Sequence, residues 1–146
     1  PHKKIEILFT IGEELYVKGS DVFDYSKVTA KQAYVLDLSE ETTFNIGTIQ
    51  GGTATNIVPD CCVLTAYETT LESKSVTDFQ KACEILGFSG GLTGTFGGSD
   101  NNSFAKNGIE GLVLSNGMYN AHSTREYTTV DDLYKGAELI GQLILL

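Results

Sequence analysis

A chain of 146 residues is long enough for one sizeable domain, burying roughly 70% of the surface its unfolded form would expose, so no disulfide staple is needed. Its 19 acidic residues against 10 basic ones give a formal net charge of -9, and the lysines and arginines are scattered. That balance argues against a nucleic-acid binder, which needs a basic stripe for phosphates, and favours cationic partners, metal ions above all.

The stretch Ile5-Glu6-Ile7-Leu8-Phe9-Thr10-Ile11 is rich in β-branched and aromatic residues and stops at Gly12, as a buried strand should. A short helix near Val17 to Phe23 is expected to separate it from a second strand, Ala33-Tyr34-Val35-Leu36-Asp37. From Thr43 to Glu68 the texture changes to alternating residues with turn chemistry, including Phe44 to Ile49, Gly51-Gly52 and Cys61 to Tyr67, which reads as antiparallel strands. Three cysteines, two of them adjacent at Cys61 and Cys62 and none in a C-x-x-C pair, point to reduced thiols and a cytoplasmic location. Thr77 followed by Gln80 is a capping-box pattern. With Phe79, Ala82, Cys83 and Leu86 at helical spacing before Gly87, it predicts a helix of about three turns. A glycine-rich loop from Ser89 to Asp100 leads to a short helix around Asn102 to Lys106 and a strand at Leu112-Val113-Leu114. The last helix opens at Thr129, with Asp131 and Asp132 in its first turn, and sets Leu133, Ala137, Ile140 and Ile144 on one face. No apolar stretch reaches the ~20 residues that cross a bilayer, and no basic-then-apolar signal opens the sequence, so no membrane partner is expected.

Glu13 and Glu14 stand side by side at the end of the first expected strand. Metal-assisted hydrolysis needs one carboxylate to hold a cation and a second to move a proton off the water that the cation activates, and neighbouring acids can divide that labour. The plainer reading is a solvated turn. Asp37 closes the second strand, and in open α/β sheets ligands collect outside the carboxyl ends of strands, so the three acids would project toward one edge. An Asp there serves equally as a helix cap or turn residue. His122, in Asn120-Ala121-His122-Ser123, is one of two histidines; it is either an exposed loop residue or the imidazole of a zinc or manganese site with Glu14 and Asp37. Gly97-Gly98-Ser99-Asp100 fits neither the G-x-S-x-G nucleophile elbow nor a phosphate cradle. It reads as a loop whose backbone approaches a substrate, or as a helix-capping turn.

Taken together, Phe9 to Glu14, Val35-Leu36-Asp37, Gly51 to Asp60 (GGTATNIVPD), Gly97-Gly98-Ser99-Asp100 and Asn120 to Ser123 resemble the co-catalytic metallopeptidases of the peptidase T type. That group also holds carboxypeptidase G, succinyl-diaminopimelate desuccinylase and acetylornithine deacetylase. The likeness runs through most of the chain in family order. It implies an α/β fold: a zinc-peptidase-like catalytic domain, with a partial mixed sheet flanked by helices, and the remnant of an inserted α+β lid or dimerisation domain. Residues 1–39 and 74–146 would be the two parts of the catalytic domain, and residues 40–73 the lid remnant through which a homodimer would form.

The same resemblance implies that Glu13 is the general base, Glu14 a ligand of one metal, Asp37 a ligand of the other, and His122 a further ligand. Asn56 would lie near the substrate-binding surface, and Ser99 and Asp100 would line the catalytic cleft. The cofactor would be zinc, two ions in the intact enzyme, with manganese or cobalt as substitutes. The substrate would be a short peptide, cleaved as by a tripeptidase or aminopeptidase. Several family features have no counterpart in this sequence: a His-x-Asp motif and a metal-bridging aspartate, the stretch with a substrate-contacting histidine after Asp37, and an arginine near Glu68-Thr69-Thr70. Leu15-Tyr16 also replaces the usual Ile-Gly. These departures imply the C-terminal half of such an enzyme with internal segments missing, inactive by itself. The alternative is a non-catalytic assembly or regulatory module that keeps the fold.

Overall fold

The computed structural model describes residues 2–39, 49–51, 62–64, 72–92 and 98–146. In chain order the elements are α1 (Lys18–Asp21), β1 (Gln32–Ser39), β2 (Ile49–Gly51), β3 (Cys62–Leu64), α2 (Lys74–Leu86), α3 (Asp100–Lys106), β4 (Glu110–Met118) and α4 (Val130–Leu145), with 3-10 turns at Glu13–Leu15 and Tyr25–Lys27. β1 and β4 run parallel, pairing from Gln32 with Glu110 to Leu36 with Leu114, and the register shifts after Leu36. β2 and β3 form an antiparallel pair, the arrangement expected for that region. The result is a mixed α/β fold with a small partial sheet and flanking helices.

The segment from Ile5 to Ile11 corrects the sequence-based expectation. It is extended but joins no ladder among the described residues, and Ile7, Phe9 and Ile11 are 77%, 91% and 81% exposed. Successive side chains of an extended chain point to opposite sides, and only the side carrying Glu6, Leu8 and Thr10 has protein to lie against. One anchor of this stretch is a glutamate side chain. The Glu6 carboxylate accepts the backbone N–H groups of Thr29 and Ala30, both at 2.9 Å, the Thr29 hydroxyl at 2.7 Å and the Lys4 ammonium at 2.6 Å.

α2 begins earlier than the Thr77 pattern suggests. Ser73 is its N-cap and accepts the Val76 N–H at 3.2 Å, while the Thr77 hydroxyl donates to the Lys74 carbonyl inside the first turn. The helix ends at Gly87, as expected. α4 starts at Thr129, also as expected, and the Thr129 hydroxyl accepts the Asp132 N–H. Its buried stripe is rotated from the one the sequence suggested: Leu139 and Leu143 are buried, whereas Leu133 is 54% exposed. Ile140 belongs to both stripes, and α4 packs against α2 and β4 on the Leu139–Leu143 side. The core is Ala82, Cys83, Leu114, Leu139 and Leu143, with Tyr34, Phe79, Phe88 and Leu112 against it. Cys83 is a free thiol, and burial pushes its pKa up. The sheet and this core leave the Glu13–Glu14 turn, the end of β1, the start of α3 and the loop after β4 as the places where chemistry can sit.

Candidate functional site

The Glu13–Glu14 turn is built by its own backbone. Gly12 adopts a left-handed conformation (φ 67°), and its carbonyl accepts the N–H groups of Leu15 and Lys18, each at 3.2 Å. The Val17 N–H donates to the Glu13 carbonyl at 2.8 Å, and the Gly19 N–H to the Ile11 carbonyl at 2.9 Å. Gly19 is required there, because a Cβ would overlap the Ile11 carbonyl oxygen. Opposite this turn, the loop after β4 is closed at its base by Tyr119 and Tyr127, which exchange backbone hydrogen bonds at 3.0 and 3.1 Å and stack their rings 4.9 Å apart. Within it the Glu126 carboxylate accepts the His122 N–H at 3.0 Å, and the Ser123 hydroxyl donates to the Asn120 carbonyl at 2.7 Å.

Left-handed backbone outside glycine is confined, among the described residues, to these two loops: Tyr16 (φ 65°), Val17 (φ 50°), Asn120 (φ 52°) and His122 (φ 62°). Such conformations are costly, above all for a β-branched residue, and persist where the surroundings hold them; they concentrate at functional sites. Here the two strained loops meet. Nε2 of His122 stands 3.4 Å from Oε1 of Glu14, with both side chains largely exposed.

Three further carboxyls surround this pair. Glu13 is pushed up to about 7, first by burial, then by Asp37, Glu14 and Asp100, with His122 acting the other way. Asp37, on β1, is also raised, again by burial first and then by Asp100 and Glu14. Asp100 is only 6% exposed; its Oδ2 accepts the Thr10 hydroxyl, and its Oδ1 is buried with no partner. Neighbouring carboxylates thus disfavour the charged forms of Glu13 and Asp37, and a divalent cation would reverse that penalty. The donor set of carboxylate oxygens and one imidazole nitrogen suits zinc or manganese.

Among the described residues, no group of three or more His, Cys, Asp and Glu side chains closes tightly enough to hold a metal ion. Glu14 and His122 stand as a close pair, and the charge of Asp37 acts on the same group of side chains. The donors fit a cation in kind. Ser99, 6% exposed, caps α3 by accepting the Asn101 N–H at 3.2 Å, so the Gly98-Ser99-Asp100 passage begins a helix as the sequence suggested. Asn56 lies outside the described residues. Thr10 and Glu126 were not singled out from sequence: Thr10 looked like one more strand residue, whereas the four-residue spacing of His122 and Glu126 could have signalled a closed turn.

Among the described residues, no helix is long and apolar enough to cross a membrane. A family model described as the peptidase dimerisation domain matches residues 11–84. An uncharacterized protein, YqjE, of Bacillus subtilis (strain 168) is 23% identical over 239 residues, covering 98% of this chain and 64% of that protein. That span is longer than the chain itself, so the relative carries residues inside the matched region that this chain lacks. Two solved structures share the fold. The aminopeptidase PepT from Bacillus cereus ATCC 10987 superposes with a TM-score of 0.72 at 21% identity, covering 92% of this chain and 62% of that one. A tripeptidase from Staphylococcus aureus subsp. aureus Mu50 gives 0.52 at 22% identity, covering 80% and 42%. The chain thus spans less than two thirds of the length of each of these relatives.

Proposed function

The chain belongs to the peptidase dimerisation domain family, and from that premise we propose that it is part of a metal-dependent hydrolase of peptide bonds, resembling a tripeptidase or aminopeptidase and acting on short peptides. The observation that carries this reading is the approach of Glu14 to His122, 3.4 Å apart from opposite ends of the chain, with Glu13 next in sequence. Glu14 and His122 would hold zinc, with Asp37 completing the shell or serving a second ion, and manganese or cobalt could take zinc's place. Such a cation, when bound, acts as a Lewis acid on a carbonyl oxygen and brings the pKa of water to about 7.

Glu13 would act as general base. Its half-buried carboxylate accepts a proton and returns it to the departing amine of the substrate. Ser99 and Asp100 would line the cleft, and Asn56 would lie near the substrate-binding surface. Residues 1–39 and 74–146 would be the catalytic part and residues 40–73 the lid remnant. The family's description as a dimerisation domain supports pairing of two copies through that lid. We place the protein in the cytoplasm, without nucleic-acid or membrane partners. Because the sequence lacks the His-x-Asp motif and bridging aspartate that the resemblance calls for, we expect hydrolysis of a protein carrying the full ligand set rather than of these 146 residues alone.

Titration calorimetry with zinc tests the reading. Stoichiometric binding that disappears in both Glu14→Ala and His122→Ala supports it. Absence of binding by the wild-type chain and by any longer parent leaves the second reading, a non-catalytic assembly or regulatory module that keeps the fold.

A further inference from the structure

The glutamate turn is fastened to a single helix at two points. Ahead of the pair, the Thr10 hydroxyl donates to Oδ2 of Asp100. Behind it, the Ser20 hydroxyl donates to Oγ of Ser103 at 3.2 Å, with both serines fully buried. Asp100 and Ser103 are three residues apart on α3, and residues so spaced share one helix face. Thr10 and Ser20 therefore bracket Glu13 and Glu14 and land on adjacent positions of the same rigid surface, where α1 also packs on α3.

We infer that Thr10, Asp100, Ser20 and Ser103 form a positioning clamp that fixes the Glu13–Glu14 turn against α3. The turn needs one. Three of the six residues from Gly12 to Val17 have left-handed backbone, two of them not glycine, and strain of this kind relaxes unless contacts outside the turn oppose it. The backbone bonds that close the turn run between its own residues and cannot set its orientation against the rest of the domain. Among the described residues, the outside links are the two clamp contacts and two exposed pairs, Lys106 with Asp21 at 3.3 Å and His122 with Glu14 at 3.4 Å, and exposed pairs of that sort contribute little. Asp100 is well suited to the leading contact, because a buried acceptor is costly to leave without its donor. The clamp's importance for catalysis rests on the hydrolase reading above, but its geometry does not.

Hydrogen exchange reads the clamp directly through the amides of Leu15, Val17, Lys18 and Gly19, all bonded within the turn. Thr10→Val keeps the shape and deletes the donor, and should speed exchange of these amides by about tenfold or more, while amides in the middle of α4 keep their wild-type rates. Thr10→Ser should restore slow exchange. Ser20→Ala gives an independent trial at the other end and should act on the same amides. Zinc titration of the same variants should show affinity weakened by about tenfold, the range seen when groups supporting ligands are removed. Unchanged exchange in both Thr10→Val and Ser20→Ala, or equal acceleration in α4, overturns the clamp. If neither the wild-type chain nor a longer parent binds zinc while the exchange results stand, the hydrolase reading fails and the clamp survives.

Discussion

His122 and Glu14 face each other across two loops that belong to no strand, Nε2 to Oε1 at 3.4 Å, and each loop reaches this position through left-handed backbone at non-glycine residues. Their side chains are 75% and 72% exposed. An exposed pair of this kind contributes about 0–1 kcal/mol to stability. Glu14→Gln and His122→Ala should therefore shift the urea midpoint very little while removing zinc binding. A stability loss of roughly 2 kcal/mol or more, beyond what such a pair supplies, would mark the pair as structural instead.

Glu6 makes a pH-dependent anchor for the extended N-terminal stretch. Its carboxyl is held down at about 2 by the Lys4 ammonium first, then by the Ala30 N–H and Thr29. A carboxyl whose pKa is lower folded than unfolded supports the fold above its ordinary value and loses that support as pH falls through the folded value. The difference in thermal midpoint between wild type and Glu6→Gln should hold from neutral pH down to about 5, then shrink toward zero as pH approaches 2. A difference that persists undiminished in acid means that Glu6 acts by packing and not by charge.

Leu143 and Leu133 report which face of α4 meets the core. Leu143 is 8% exposed and Leu133 54%. Leu143→Ala should cost about 2–5 kcal/mol, the range for a buried leucine, while Leu133→Ala should stay within about 0.5 kcal/mol. Chemical denaturation of both variants measures this, and equal losses would contradict the observed face.

Ser73 and Thr77 report where α2 begins. Replacing Ser73 by alanine removes the oxygen that accepts the Val76 N–H and should cost about 1 kcal/mol. Thr77→Ala should cost much less, since its hydroxyl only donates to a carbonyl of the first turn. The reverse order of losses would restore the later start.

Much of the architecture was legible along the chain. The stop of α2 at Gly87, the Thr129 start of the last helix, the helix opening at Ser99 and the strand through Ala33 to Asp37 all rest on signals carried by a few neighbouring residues. The errors have a common origin. Ile5 to Ile11 has the composition of a buried strand, but composition cannot say whether a neighbouring strand is present to bury it. Two apolar stripes on the last helix share Ile140, and only the helix and strand packed against it could choose between them.

The candidate site divides in the same way. Residue types and order by themselves determined which groups could do the chemistry, because a pair of adjacent glutamates, an aspartate after a strand and a loop histidine carry their chemistry wherever the chain goes. Tertiary structure decided which of them meet: Glu14 touches His122, Asp37 acts on both only through its charge, and Asp100 is tied to Thr10. Distance between side chains depends on how loops far apart in the chain are folded onto α3 and the β1–β4 pair, and no local pattern encodes that closure.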